Sequence, residues 1–490
     1  MQYVGTVPVG QPIAGGSLPG PIDAASGSRE TGVGVVATEG VGPAQNPLQR
    51  LFNLRDGEAP TALLSVLFFF LILFGYFLVR PVREAMGVNG GMWELRALFY
   101  ATMVVMLVAN PVIGILVAMF NRRVFLPIIY SFFALNLLGF AALLRFAPES
   151  IGENTGRVFF VWVSVYNFTV ISFFWALMAD GFTLERAKRL FPFVAVGGTL
   201  GAIAGSGLVA RIGESVPPEG LMTMSAGCLL MAAGCAVGLS ILFPPSEKTA
   251  RRRVSEAEHR NPLAGFMQVA RSPYLLGVCG YILLMAIVST FLYFAQARVV
   301  SAAEEETGGR VAAFASIDFW TQVATLTLQL SLTGKLIRIV GVGITLIVLP
   351  VAGGIGCLLL GIGENVGMTA AQSLVAITVL QAGFRAGRYA IARPARETLF
   401  TVVSPDEKYK AKTLIDTFVY RAGDAAGAGI DGLLAAAGVG LFGLMLMVAP
   451  TAAIWAGLGL YLGYKQGRLA ASEDEGPGGA EPSEAKGVPA

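Results

Sequence analysis

Long apolar stretches constrain this chain more than any other feature. A bilayer core about 30 Å thick is crossed by roughly 20 apolar residues in helical form. The run from Phe68 to Phe74 (FFFLILF) is the densest part of the first such stretch. The pattern recurs near 61–80, 95–119, 124–145, 157–180, 192–212 and 221–243, then near 273–296, 312–333, 339–361, 368–396, 412–436 and 438–463. Backbone groups in lipid must be satisfied within the segment itself, so each stretch is expected to be helical. Only 14% of residues are charged, against about 25% in soluble domains. This predicts an all-α integral membrane protein with twelve transmembrane helices. A net charge of +3 and no basic block interleaved with aromatics exclude nucleic acid as a partner. The bilayer itself is the expected surrounding.

The polar segments divide the chain. Residues 1–58 are rich in Gly, Pro, Ala and Ser and are expected to form a disordered tail. They lack the basic start and following apolar run of a cleaved signal peptide. A six-helix bundle is expected over 59–243, a linker over 244–272 with Arg251, Arg252 and Arg253, a second bundle over 273–464, and a polar tail over 465–490. Basic residues alternate from loop to loop. Arg122 and Arg123, Arg186, Lys188 and Arg189, the Arg251–Arg253 cluster, Lys335 and Arg338, and Lys408, Lys410 and Lys412 all fall on one side. Acids such as Glu149, Glu153, Glu304, Glu305 and Glu306 fall on the other. The positive-inside rule then puts both termini in the cytoplasm of a cell whose inner membrane holds the protein.

The two halves also match. An offset of 222 residues places Glu185 on Glu407, Arg186 on Lys408 and Lys188 on Lys410. It also places Gly201, Gly205 and Gly207 on Gly423, Gly427 and Gly429. Two pseudo-symmetric parallel six-helix bundles are the plan of the major facilitator superfamily.

Several charges lie inside apolar stretches, where each arginine at mid-membrane costs roughly 2.5–3.5 kcal/mol. Arg385, Arg388, Arg393 and Arg396 occur in FRAGRYAIARPARETLF and share one side of a continuous helix, provided that Pro394 does not break it. A water-filled cavity would relieve their cost. Snorkelling of Arg393 and Arg396 to the helix end is the alternative. Arg80 and Arg83, three residues apart near the end of the first helix, either flank the same cavity or anchor at the headgroups. Asp318 sits alone in FASIDFWTQVATLTL, which points to an arginine partner or a proton site. On the eleventh helix Asp416, Arg421 and Asp424 offer the same choices, with a local Arg421–Asp424 pair favoured. Asp180 closes the fourth helix before the Glu185–Arg189 loop, at a gate or a helix-end contact. A positive cavity implies a small anionic solute, because guanidinium forks suit phosphate and carboxylate.

Other patterns carry less. Gly197, Gly201 and Gly205 have the spacing that lets helices approach closely, so packing is expected there. The string from Gly438 to Gly443 fits GxGxxG, but no strand precedes it. Cys228, Cys235, Cys279 and Cys357 lie singly in apolar stretches, and His259 is the sole histidine. No metal or cofactor is called for, and no constellation suits a membrane enzyme or sensor.

The segment Arg388-Tyr389, Pro394, Arg396-Glu397, Lys408, Lys410, Lys412 and Ile415-Asp416, ending at Gly423, resembles the ATP/ADP translocase family of nucleotide transporters. Phe174-Trp175 with Glu185-Arg186-Ala187-Lys188-Arg189-Leu190-Phe191 is similar to that family's loop between helices four and five. Arg80-Pro81-Val82-Arg83-Glu84 resembles the end of its first helix. The resemblance implies a major facilitator fold without hydrolytic activity. It also implies phosphate binding by Arg80, Arg83, Arg388, Arg396 and Lys410, with Glu397 setting specificity or gating. Arginines replace several of the family's lysines, and Arg393 precedes the proline where an acid is expected. The expectation is therefore a monomeric alternating-access carrier exchanging organic anions, nucleotides foremost. A proton-coupled carrier of a smaller carboxylate or phosphorylated solute is the alternative, with Asp318 or Asp180 as proton site.

Overall fold

A computed structural model describes residues 55, 57–120, 122–147, 149–243, 269–331 and 333–474. The tail to residue 54, most of the linker with Arg251–Arg253 and His259, and residues beyond 474 lie outside the described residues. The described chain contains twelve membrane-length helical segments. They are α1 (Ala59–Asn89), α2 (Gly91–Met119), α3 (Arg122–Phe146), α4 (Glu149–Gly181), α5 (Leu184–Ile212) and α6 (Pro218–Leu242), then α7 (Pro273–Ala303), α8 (Thr307–Ser331) and α9 (Thr333–Val366). Next come α10 (370–398), α11 (405–436) and α12 (Leu441–Asp474). Ten of these are long and apolar enough to cross a membrane by length and composition. The other two, α10 and α11, are interrupted by π turns at Arg388–Ala392 and Ile415–Val419.

Helix starts follow local chemistry. Thr369 and Gln372 cap α10 reciprocally, as Ser404 and Glu407 cap α11, each pair satisfying N–H groups that the first turn cannot. Most helices overrun the apolar stretch that predicts them. α7 continues past 296 to Ala303, and α12 continues past 463 to Asp474, since a helix does not stop where it leaves lipid. Gly341 interrupts α9 with φ 77°, a backbone state that glycine enters without steric cost.

Two hydrophobic cores form. One is built mainly on α1–α6 and reaches the ends of α7 and α8 (Phe294, Val300, Phe314), and the other on α7 and α9–α12. The outer face is apolar, with Phe132, Leu135, Ile241 and Leu359 exposed, as acyl chains require. The glycine repeat explains the packing. A Cβ on Gly197 or Gly205 would lie 2.6 Å or 2.7 Å from the carbonyl oxygens of Val66 and Phe74 on α1, and one on Gly201 would collide with that of Phe70. In the second half, Gly423 and Gly427 meet the carbonyls of Leu283 and Ile287 on α7. The contacted carbonyls are shifted by 213 residues in both cases (70 to 283, 74 to 287), so the repeat is structural. The third matched pair faces the opposite half: Gly207 of α5 lies against Phe319 of α8, and Gly429 of α11 against Tyr100 of α2.

Replacing Gly201 by valine should lower the melting temperature in detergent, because overpacking a close contact costs about 1–3 kcal/mol. Here the obstacle is backbone and cannot rotate away. Unchanged melting would show that α1 and α5 tolerate separation.

Candidate functional site

Helix order puts the α4–α5 and α10–α11 connections, beside Arg186 and Lys408, at one end of the bundle, called here the basic end, and the α5–α6 and α7–α8 connections, with Glu214 and Glu304, at the other, the acidic end. Between them, charges from both halves meet. Arg80 of α1 forms an ion pair with Asp318 of α8, and Arg385 of α10 donates to the same carboxylate oxygen at 2.8 Å. Asp318 is 2% exposed, and neither guanidinium exceeds 16%. Of the two sequence expectations for Asp318, the arginine partner is the arrangement found. Arg385 therefore points inward rather than toward lipid.

Arg83 turns away from Arg80. It donates to the Phe160 carbonyl at 2.9 Å, pairs with Glu84 at 2.6 Å and lies 3.8 Å above the Phe160 ring. The other Glu84 oxygen accepts from Tyr293 of α7 at 2.8 Å, a bond between the halves. Neither arginine anchors at the helix surface.

The helix that carries the four arginines of α10 is not a continuous α-helix, because a π turn interrupts it at Arg388–Ala392. The π turn adds a residue to one turn, rotating everything after it by roughly 100° relative to α-helical register. The Arg393 N–H bonds the Arg388 carbonyl, five residues back. Pro394 explains the position: it lacks an N–H and its ring would collide with the carbonyl four residues earlier. Widening the turn relieves that collision. Arg388 then donates to Ser289 of α7 at 3.2 Å and to the Tyr389 hydroxyl at 2.9 Å, with Tyr420 close to its other side. Arg393 is half-buried after the π turn. Arg396 pairs with Glu397 at 3.2 Å, and Glu397 accepts from Lys412 of α11 at 2.6 Å.

Lys412, named from the sequence in the basic loop and the family-like segment but given no role of its own there, thus joins α10 to α11. The side chains of Lys410 and Asp416 lie outside the described residues. Arg421 and Asp424 stand 3.5 Å apart, and Thr290 of α7 donates to Asp424 at 3.4 Å. At the basic end Asp180 is half-buried and Lys188 exposed, while Glu185 pairs with Arg55 at 2.7 Å. Beside it, Arg189 grips Glu58 through two bonds of 2.8 Å, with Arg186 3.2 Å away. Burial works to raise the Glu58 carboxyl. The Arg189 hydrogen bond, the Arg55 backbone N–H and the two guanidinium charges outweigh it and hold the group below its ordinary value.

A depressed folded value means that this clasp stabilises above the ordinary glutamate pKa and loses its contribution as the pH falls below it. The melting gap between the parent and Glu58→Gln should therefore be widest near pH 7 and close below roughly pH 4.5. A gap that stayed constant on acidification would deny Glu58 this role.

A second ionic group escaped the sequence reading. Asp431 of α11, fully buried, accepts from Arg96 of α2 at 2.8 Å and from Arg298 of α7 at 2.6 Å. Arg298 looked like a loop residue because the apolar stretch ends at 296. Asp431 had a signal: it lies seven residues past Asp424, on the same helix face.

The twelve-helix fold is shared with solved membrane transporters. A variant of the nucleoside transporter NupG superposes with TM-score 0.54 at 13% identity, covering 84% of this chain and 99% of that one. The inward-open xylose transporter XylE from E. coli gives 0.53 at 12% identity, covering 84% and 96%. The chain is thus a multi-pass membrane protein that shares the fold of these two structures. Among curated proteins it is similar to ADP,ATP carrier protein 1 of Chlamydia pneumoniae, 23% identical over 335 residues. It is likewise 23% identical over 350 residues to the protein of that name from Chlamydia trachomatis serovar D. These alignments cover 62% and 65% of this chain, and 64% and 65% of the relatives' own length, just under two thirds. The family resemblance read from the sequence is therefore met by named relatives. No family model matches the chain.

Proposed function

We propose that this chain is a secondary active transporter that exchanges organic anions, most of all nucleotides, by alternating access. The observation that carries this reading is the meeting of Arg80 from one half and Arg385 from the other on a single buried carboxylate, Asp318. Two guanidinium groups against one acid leave net positive charge at the seam, where a polyphosphate or carboxylate can displace Asp318 and bridge both halves. Arg388, backed by Ser289 and Tyr389, extends that surface along α10. Arg396, Glu397 and Lys412 continue it toward the basic end, with Lys410 and Arg393 as further phosphate ligands. The relatives' printed name, ADP,ATP carrier protein, favours a nucleotide over a smaller anion.

In this reading the units 59–243 and 273–464 rock about the site as one monomer. The basic loops at 185–189 and 407–412 close the basic end when the acidic end is open. Asp180, Glu185, Lys188, Asp416, Arg421 and Asp424 serve gating or coupling. The protein resides in a bacterial inner membrane with both termini in the cytoplasm. The test is counterflow: vesicles containing the purified protein are loaded with unlabelled ATP, ADP, other phosphates or carboxylates, and entry of labelled ATP is followed. Acceleration by internal ATP or ADP is expected. No acceleration by any nucleotide would overturn the assignment.

A further inference from the structure

Arg96, Arg298 and Asp431 lie five residues from the acidic-end terminus of their helices: the start of α2, the end of α7 and the end of α11. Arg96 belongs to one half and the other two to the opposite half. Around them α2 and α11 approach closely. Tyr100 donates to the Ala425 carbonyl at 3.0 Å, a Cβ on Gly429 would lie 3.1 Å from the Tyr100 hydroxyl, and one on Gly432 would lie 3.5 Å from Arg96. The related α5–α8 contact pairs Gly207 with Phe319 by packing. The ionic cluster thus belongs to the α2–α11 seam, whereas the α5–α8 seam is held by more extensive helix packing.

We infer that Arg96, Asp431 and Arg298 form a latch that holds the acidic end of the two halves shut, with Asp431 as the shared keystone. The inference rests on the alternating-access reading but not on the identity of the cargo. Its asymmetry sets an order. Removing the Asp431 charge leaves two buried guanidinium groups facing each other across the seam. That arrangement is costly until the seam parts and water reaches them. Removing Arg96 leaves Asp431 paired with Arg298 within one half, so the closed form loses an attraction and gains no repulsion.

The test places a reporter cysteine by Ala428→Cys, at a position 1% exposed and packed into the core of the opposite half. Its reaction with a hydrophilic maleimide is measured on purified protein, after subtracting the reactivity of the same protein without the reporter. D431N should raise the rate at least tenfold and R96Q by a smaller factor. The double variant R96D/D431R, which keeps two guanidinium groups against one acid, should return it toward the parent. No rise in D431N, or a rise in R96Q as large as in D431N, would overturn the latch. If D431N fails to fold, the decision falls to R96Q and the swapped pair. A raised rate in R96Q that the swap restores supports the latch, and rates equal to the parent in both reject it. Absence of nucleotide counterflow alongside the predicted reactivity order would remove the nucleotide reading and leave the latch standing.

Discussion

Arg385→Gln should cut nucleotide exchange by about ten- to a hundredfold while leaving the protein folded. The magnitude follows from losing a hydrogen bond to a charged group, worth about 1.5–3 kcal/mol, with tenfold per 1.4 kcal/mol. Folding should survive because Asp318 keeps its second partner: Arg80 still reaches it from α1, so no buried carboxylate is left bare. Arg385→Lys should fall between the two, since an ammonium keeps the charge but loses the fork that grips two oxygens at once. Initial rates of labelled ATP uptake into ADP-loaded vesicles decide the matter, with melting temperature as the control. Exchange at the parent rate in Arg385→Gln would remove α10 from the substrate path.

Asp318→Asn has the opposite character. It removes the one acid between Arg80 and Arg385 and leaves both guanidinium groups buried together. Breaking a buried pair by deleting one partner costs about 3–5 kcal/mol, so the unliganded variant should melt well below the parent. A bound polyphosphate supplies the missing negative charge. Ligand at a hundred times its dissociation constant returns about 2.7 kcal/mol. Millimolar ATP should therefore raise the melting temperature of the variant more than that of the parent. Homo-exchange should persist, at a lower half-saturating concentration, because the built-in competitor for the arginines is gone. Proton coupling makes the contrary prediction: uptake driven by a pH gradient in the parent and abolished in the variant. A variant that melts like the parent and gains nothing from ATP would show that Asp318 does not stand in for the cargo.

The two experiments separate the roles of the same cluster. In the proposed reading, Arg385 provides attraction that the substrate uses, whereas Asp318 provides competition that the substrate must overcome. A structural ion pair would lose stability on either substitution. It would not gain affinity on the second.

Much of the architecture was legible in one dimension. Helix number and order, the alternation of basic and acidic loops and the 222-residue repeat follow from constraints that act locally: hydrocarbon thickness, backbone satisfaction in lipid and charge at the membrane surface. The glycines at 201, 205, 423 and 427 were readable for the same reason, since close helix approach needs small residues at fixed spacing. Tertiary structure alone decided which charge met which. Helix rotation and crossing brought Arg80 and Arg385 onto Asp318, turned Arg83 toward Phe160, and put Lys412 on Glu397. The π turn at Arg388–Ala392 reset the register of the residues after it, which helical periodicity had drawn as unbroken. Apolar length says that a segment crosses the membrane but not how it is rotated, and partner choice among buried charges depends on that rotation.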